Sequence, residues 1–299
     1  MAPQRVLIIG FGEMGHAMNH LLESRHAVTV WHRAHGNETS VDLAQSAVDK
    51  DFVLFCVPTA PVFELASRIR DHLTPGTLCL SIGKGLDDEA RPALLAMGDA
   101  LGGEADCGVL YGPMISEEIM ADRYGFGQAG LANRTQYGRV HDLFAGSKLL
   151  LEFHDDPHGL SWCAVLKNVY AMAFGMADGL QLGDNVRGLI TVLALRELSA
   201  LSQHLGGHPD TPIGLAGLGD LMTTATSAGS HHHDLGLRLA RGERKDITGE
   251  GVHSLQIIRE RGLIDFERFP LFRLVEGLVR EPEDLTGQWH RFIATALDA

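Results

Sequence analysis

Val6-Leu7-Ile8-Ile9-Gly10-Phe11-Gly12-Glu13-Met14-Gly15 is an apolar run that passes directly into a glycine-rich turn. The run is typical of a buried strand, and the Gly-x-Gly-x-x-Gly spacing joins a first strand to a helix in dinucleotide-binding folds. The first glycine permits the tight turn, the second lets the backbone approach a pyrophosphate, and the third lets helix and strand pack closely. The N-terminus of the helix that follows the turn provides N–H groups and a partial positive charge that favour binding of the phosphates. The residues predicted to hold the cofactor here are Gly10, Phe11, Gly12, Glu13, Met14 and Gly15.

Outward from this turn, short apolar runs alternate with amphipathic segments. Strands are predicted at residues 6–9, 27–31, 52–57 and 77–82, and helical spacing covers residues 17–22 and 62–69. The strands are continuous apolar runs, so both faces of their sheet should be covered. Repeated strand–helix order predicts an α/β, doubly wound parallel (Rossmann) sheet, which we assign to an N-terminal domain at residues 1–155.

The pattern changes near residue 155. Residues 161–180 and 185–205 read as helices, and the remainder is also helical, interrupted by the glycine-rich stretch from Gly214 to Gly219. We therefore predict an all-α C-terminal substrate and catalytic domain at residues 156–299.

Composition narrows the function classes. The chain has 299 residues and a net charge of −13, which disfavours nucleic acid and anionic membrane surfaces as partners. None of the four cysteines forms a Cys-x-x-Cys pair, which indicates a reducing compartment. No apolar stretch reaches the roughly 18 residues of a membrane span. A cytoplasmic protein with a small-molecule substrate is the expectation.

The second predicted strand ends in Trp31-His32-Arg33, where an NAD-specific site usually carries Asp or Glu for the ribose diol. No carboxylate occurs here before Glu38. The Arg33 guanidinium can instead pair with a 2′-phosphate and stack on adenine, which predicts preference for NADP(H) with NAD(H) as second cofactor. The alternative is that Arg33 is a solvated surface charge.

Lys167 lies inside a long apolar helical segment, flanked by Ala164, Val165, Val169 and Tyr170. A lysine in such surroundings is costly unless it reaches water or serves chemistry, because burial favours the neutral amine and so permits proton exchange near neutral pH. Four polar residues follow the glycine-rich stretch: Thr223, Thr224, Thr226 and Ser227. They could converge on a small polyol-like ligand.

Taken together, these motifs resemble the NAD(P)-dependent glycerol-3-phosphate dehydrogenases of the bacterial type, almost end to end and most densely at residues 159–251. The matching blocks are Gly10 to Gly15, Trp31 with Arg33, Cys56-Val57-Pro58-Thr59, Lys84-Gly85, Gly112-Pro113, Leu166-Lys167-Asn168-Val169, Gly183-Asp184-Asn185, Gly214 to Leu221, and Glu250-Gly251. Several such blocks in order are more specific than any one of them.

The resemblance implies reduction of dihydroxyacetone phosphate to sn-glycerol 3-phosphate, a homodimer, and a place in carbohydrate metabolism and phospholipid biosynthesis. Lys167 would be the general acid/base, and Lys84 would add positive charge near substrate and nicotinamide. Asp220 would act with them in catalysis, and Pro58 and Glu250 would contact the cofactor. The substrate-binding residues implied are Lys84, Gly112, Lys167, Asn168, Asp220, Thr224, Ser230, His231 and His232.

The sequence departs from this family where the substrate phosphate would bind. His231 and His232 stand where the family usually has Arg and Asn, and Met114 replaces its serine. Arginine forms a permanently charged, bidentate clamp on phosphate, whereas histidine is at best partly charged at pH 7. Either the two histidines bind the phosphate in a pH-dependent way, or the substrate is not a phosphate ester. A metal site ranks last, because contiguous histidines seldom share one face, and no metal is predicted.

Two other functions stay open at this level. One is a related dehydrogenase acting on a different small hydroxy compound, which the histidine run and Met114 motivate. The other is a non-catalytic NADP(H)-binding sensor, which would not need a lysine in an apolar helix.

Overall fold

The computed structural model describes residues 2–34, 37–38, 41–227 and 229–297. The chain divides into two compact units, Met1–Ser161 and Trp162–Ala299. The strands are β1 (Arg5–Ile9), β2 (Ala27–Trp31), β3 (Arg33–Ala34), β4 (Asn37–Glu38), β5 (Phe52–Phe55), β6 (Leu78–Ser81), β7 (Asp106–Tyr111), β8 (Gly125–Gly130) and β9 (Leu149–His154). The helices are α1 (Glu13–Leu22), α2 (Leu43–Ala47), α3 (Val62–Ile69), α4 (Ala93–Leu101), α5 (Ser116–Met120), α6 (Arg134–Phe144), α7 (Pro157–Gly179), α8 (Asp184–His204), α9 (Asp220–Thr226), α10 (His231–Ala240), α11 (Glu250–Glu260), α12 (Pro270–Arg280) and α13 (Leu285–Thr295).

The first unit is built on a seven-stranded sheet in the order β2-β1-β5-β6-β7-β8-β9. Strands β2, β1, β5, β6 and β7 run parallel, β8 is antiparallel to β7, and β9 is parallel to β8. Both faces are covered, as continuous apolar strands require. Val6 and Ile8 pack in the core layer that contains α1, while Leu7 and Ile9 pack in the layer that contains α3 and α4.

Within the described residues of the second unit, all secondary-structure elements are helices. Its central helix α7 begins in the first unit at Pro157, and from Trp162 to Met176 its side chains are almost all buried. The predicted α/β fold with an all-α C-terminal domain is therefore confirmed. The predicted boundary between residues 155 and 156 lies just before α7 begins.

Candidate active site

The glycine turn after β1 is closely packed at two of its three glycines. Gly10 has a φ of +99°, and a Cβ on it would lie 2.5 Å from the Cys56 carbonyl oxygen. A Cβ on Gly15 would lie 2.2 Å from the Gly10 carbonyl oxygen, so this glycine lets α1 pack against the turn. A Cβ on Gly12 would meet no described atom within 4 Å. Gly10 and Gly15 are thus required by the fold, whereas Gly12 leaves open space at the start of α1 for a ligand.

The other cofactor candidates surround this turn. The Phe11 ring stacks on His16 with centroids 3.7 Å apart, and the His32 ring lies 5.9 Å away. Glu13 is exposed at the first position of α1, where a carboxylate favours the helix dipole. Met14 packs against the core, and Pro58 is exposed after β5.

Cys56 adjoins the turn but supplies no nucleophile. Its side chain is buried, and burial raises the pKa of the Cys56 thiol to about 12. The thiol therefore stays protonated at physiological pH and serves only as packing.

Arg33 is exposed at the start of β3, two residues beyond the end of β2, and it is paired. Its Nη2 lies 2.7 Å from Oε1 of Glu64, which is on α3. The same carboxylate lies 3.9 Å from Nη1 of Arg68, whose guanidinium sits 5.4 Å above the ring of Trp31. Sequence reasoning identified Arg33 but gave no sign of Glu64, because the pairing joins residues that are distant in sequence.

Lys84 is half-buried in a loop that three side chains hold in place. The N–H of Gly83 donates to Ser81 Oγ (3.1 Å), and the N–H of Gly85 donates to Thr59 Oγ1 (3.1 Å). The Tyr111 hydroxyl donates to the Gly83 carbonyl oxygen at 2.7 Å. These three residues were not predicted from the sequence, although Thr59 lies in the block that contains Pro58. Together they fix the backbone on both sides of Lys84.

Gly112 and Met114 have structural explanations inside the first unit. Gly112 has a φ of +149°, and a Cβ there would lie 2.6 Å from the Phe126 carbonyl oxygen. Met114 is 5% exposed and belongs to the core layer that contains α1. Its side chain is committed to packing, which weakens its use as an argument for a different substrate.

In the second unit, Lys167 lies at the centre of a buried polar cluster. Its side chain is 4% exposed, and its Nζ lies 3.1 Å from Oδ2 of Asp220. Nζ also donates to Thr224 Oγ1 at 2.7 Å, and the Thr224 hydroxyl donates to the Asp220 backbone oxygen at 2.7 Å. The structure thus excludes the alternative of a solvated lysine. A buried ammonium is stabilised only by such partners, and here a carboxylate and a hydroxyl supply them.

The glycine-rich stretch delivers Asp220 to this cluster. Leu215–Gly219 forms a π-helical turn that leads straight into α9, and Asp220 is the first residue of that helix. A Cβ on Gly217 would lie 2.1 Å from the Pro212 backbone oxygen, so only glycine allows this path. Thr224 follows one turn later on the same face of α9.

The histidine run begins α10, where Ser230 is the N-cap and accepts from the His233 N–H at 3.3 Å. His231 Nε2 lies 2.9 Å from the Thr248 backbone oxygen. His232 Nε2 accepts from the N–H of Gly251 at 3.1 Å. His233 turns elsewhere, with its Nε2 2.8 Å from an Asp178 carboxylate oxygen.

These contacts place His232 near Asn168, the residue that follows Lys167 in α7. A Cβ on Gly251 would lie 2.7 Å from the His232 ring and 3.3 Å from Cβ of Asn168, which is 2% exposed. Asn168, His232 and the first turn of α11 therefore pack together. Glu250 is the first residue of that helix.

Within the described residues, no group of three or more His, Cys, Asp or Glu has the arrangement of a metal site. None of the described helices combines the length and apolarity needed to cross a membrane.

Comparison with known proteins identifies the family of this chain. Residues 35–129 match the N-terminal model of NAD-dependent glycerol-3-phosphate dehydrogenase, and residues 156–286 match its C-terminal model. A glycerol-3-phosphate dehydrogenase [NAD(P)+] of Staphylococcus aureus is 29% identical over 288 residues, which cover 85% of this chain and 87% of that protein.

Solved structures show the same fold. Glycerol-3-phosphate dehydrogenase from Coxiella burnetii superposes with a TM-score of 0.86 at 23% identity, covering 97% of this chain and 99% of that one. The Plasmodium falciparum glycerol-3-phosphate dehydrogenase superposes with a TM-score of 0.84 at 16% identity, covering 97% and 95%. The two family models together span most of the chain, and the chain belongs to the NAD-dependent glycerol-3-phosphate dehydrogenase family.

Proposed function

We propose that this protein is a dehydrogenase that reversibly reduces dihydroxyacetone phosphate to sn-glycerol 3-phosphate, with NADPH as preferred and NADH as second cofactor. The observation that carries the proposal is the buried ammonium of Lys167, held between the Asp220 carboxylate and the Thr224 hydroxyl. A cofactor sensor would have no use for this costly arrangement.

Reduction of a ketone needs a hydride at carbon and a proton at oxygen. The glycine turn after β1 and Arg33 would hold NADPH, which would supply the hydride. Lys167 donates a proton to the carbonyl oxygen, and in the reverse direction it takes the proton from the hydroxyl group. Asp220 stabilises the charged lysine at 3.1 Å, and Thr224 orients its Nζ. By the family resemblance, Lys84 would add positive charge where the alkoxide develops.

The phosphate end of the substrate is assigned to Ser230, His231 and His232. Because the His231 Nε2–H is directed at the Thr248 carbonyl oxygen, its Nδ1 can donate to a phosphate only when the ring is protonated. Because His232 Nε2 accepts from Gly251, its proton resides on Nδ1. The neutral His232 ring can therefore donate to the phosphate from Nδ1, whereas the His231 ring can do so only as an imidazolium.

The remaining assignments rest on the family resemblance alone. Asn168 and Gly112 would contact the substrate, and Pro58 and Glu250 would contact the cofactor. A cytoplasmic homodimer whose product enters phospholipid biosynthesis also stays a prediction.

The test follows NADPH absorbance with dihydroxyacetone phosphate between pH 5.5 and 8. Wild type should turn over, and Lys167→Ala should lose about 10²–10⁴-fold in kcat while NADPH binding is retained. Lys148→Ala removes an exposed lysine and should match wild type. Turnover only with other carbonyl compounds favours a related dehydrogenase, whereas tight NADPH binding with no turnover favours a sensor. Undiminished activity in Lys167→Ala would contradict the mechanism.

A further inference from the structure

We propose that Glu64 on α3 reduces the preference for NADP(H) by competing with the 2′-phosphate for Arg33. The inference rests on the proposed function in one respect, namely that the ligand of the first unit is a nicotinamide dinucleotide.

The Arg33–Glu64 pair is close but weakly held. The two charged atoms are 2.7 Å apart, yet the side chains are 47% and 55% exposed. Exposed ion pairs contribute little, because water solvates both partners and salt screens them. Arg33 can therefore exchange Glu64 for a phosphate dianion, which offers it bidentate and charge-assisted hydrogen bonds.

Arg68 is a second cationic partner of Glu64, and it stays in place when Arg33 binds a phosphate. Its Nη1 lies 3.9 Å from Glu64, and its position above Trp31 keeps it beside the end of β2. When Arg33 leaves, Glu64 retains one cationic partner. The cluster of Arg33, Glu64 and Arg68 thus carries two positive charges and one negative charge.

This cluster borders the glycine turn rather than a remote surface. The N–H of Gly10 donates to the Trp31 carbonyl oxygen at 2.8 Å, which ties the turn to the end of β2. His32 lies between Trp31 and Arg33 in the chain, and its ring stacks 5.9 Å from Phe11 of the turn. The adenosine ribose of a dinucleotide lies at the end of this second strand when its pyrophosphate occupies such a turn.

The Glu64 carboxylate would interact differently with NADP(H) and with NAD(H). With NADP(H), the carboxylate repels the 2′-phosphate and holds the arginine that would bind it. With NAD(H), the same carboxylate can accept hydrogen bonds from the ribose hydroxyls, a role that dinucleotide folds usually give to an acidic residue at the end of β2. Glu64 therefore reduces the preference for NADP(H) that Arg33 creates.

The experiment uses calorimetric binding of adenosine 2′,5′-bisphosphate and 5′-AMP to the full-length protein, so that it needs no turnover. Glu64→Gln should bind the bisphosphate about two- to fivefold more tightly, with 5′-AMP binding unchanged or weakened. Asp71→Asn removes a comparable exposed carboxylate, paired with Arg70 at 3.0 Å, and should leave both affinities as in wild type. In an Arg33→Met background, Glu64→Gln should give a smaller gain than in wild type, because the arginine for which Glu64 and the 2′-phosphate compete is absent.

An unchanged affinity ratio in Glu64→Gln, or the same change in Asp71→Asn, would overturn the inference. Turnover then extends the test, since the ratio of kcat/KM for NADPH over NADH should rise in Glu64→Gln. If the fragments bind as expected but dihydroxyacetone phosphate is not reduced, the substrate assignment fails and the role of Glu64 stands.

Discussion

At the scale of single residues, the chemistry of the second unit depends on how the Lys167 ammonium is aimed. Lys167 could be identified from the sequence because a charged residue among apolar neighbours violates the pattern of a buried helix. The contacts of its Nζ could not be predicted from the sequence, since Asp220 and Thr224 lie more than fifty residues further along the chain and contact Lys167 only after folding. The hydrogen bond from Nζ to the Thr224 hydroxyl fixes the direction of the proton donor.

Replacing Thr224 by valine tests that hydrogen bond. The change keeps the side-chain shape but removes the acceptor, so Thr224→Val should lower kcat by about two- to twelvefold, the value of one hydrogen bond. Thr224→Ser should retain most of the activity. Thr226→Val is the matched control, because the Thr226 hydroxyl is exposed and donates only to the Met222 carbonyl oxygen among the described contacts. Equal losses in Thr224→Val and Thr226→Val would contradict the orienting role.

At the scale of elements, four strands of the seven-stranded sheet could be predicted and three could not. Strands β1, β2, β5 and β6 were anticipated because each is a run of large apolar residues, and α3 begins and ends at the predicted residues. Strand β8, with the sequence Gly-Phe-Gly-Gln-Ala-Gly, has little intrinsic preference for a sheet. It forms because its neighbours β7 and β9 supply hydrogen bonds and because Gly127 and Gly130 let Leu151 and Leu160 approach. Such tertiary support leaves no local signal.

Glu197 on α8 is another element-level feature with no local signal. It is buried, and its carboxylate oxygens accept from the N–H groups of Leu271 and Phe272 and from the Tyr170 hydroxyl, at 2.8, 2.9 and 2.9 Å. Burial raises the pKa of this carboxyl group, while the three donors act in the opposite direction. One side chain thus joins α7, α8 and the N-terminus of α12.

Glu197→Gln should destabilise the protein by about 1–3 kcal/mol at pH 7, because the amide NH₂ replaces an acceptor and leaves a buried donor without its partner. Denaturant titration measures the change. Glu260→Gln provides the control, since Glu260 is exposed and accepts only from Gln256 among the described contacts. Equal stability of the two variants would show that the Glu197 contacts contribute nothing.

At the scale of the whole molecule, an acidic chain has to bind anionic ligands. With a net charge of −13, the global field opposes both a dinucleotide and a phosphorylated substrate. Affinity has to come from local groups in each unit: backbone N–H groups at the start of α1 and Arg33 in the first, and Lys167 with the histidines in the second. Binding should therefore be sensitive to the backbone at the turn, where no side chain supplies the contact.

Gly12→Ala isolates that backbone contribution, because it separates ligand binding from the stability of the fold. Gly12 has φ −80° and ψ −163°, which alanine adopts readily, and no described atom would contact the new methyl group. The variant should unfold at the same temperature as wild type without ligand.

NADPH at about 100 times its Kd should stabilise wild type by about 2.7 kcal/mol, and most of this gain should vanish in Gly12→Ala because the methyl group occupies the pyrophosphate position. Thermal unfolding with and without NADPH measures both quantities, and Gly98→Ala, a helical position with equal space, should keep the full gain. Full stabilisation of Gly12→Ala by NADPH would mean that the pyrophosphate does not approach this turn.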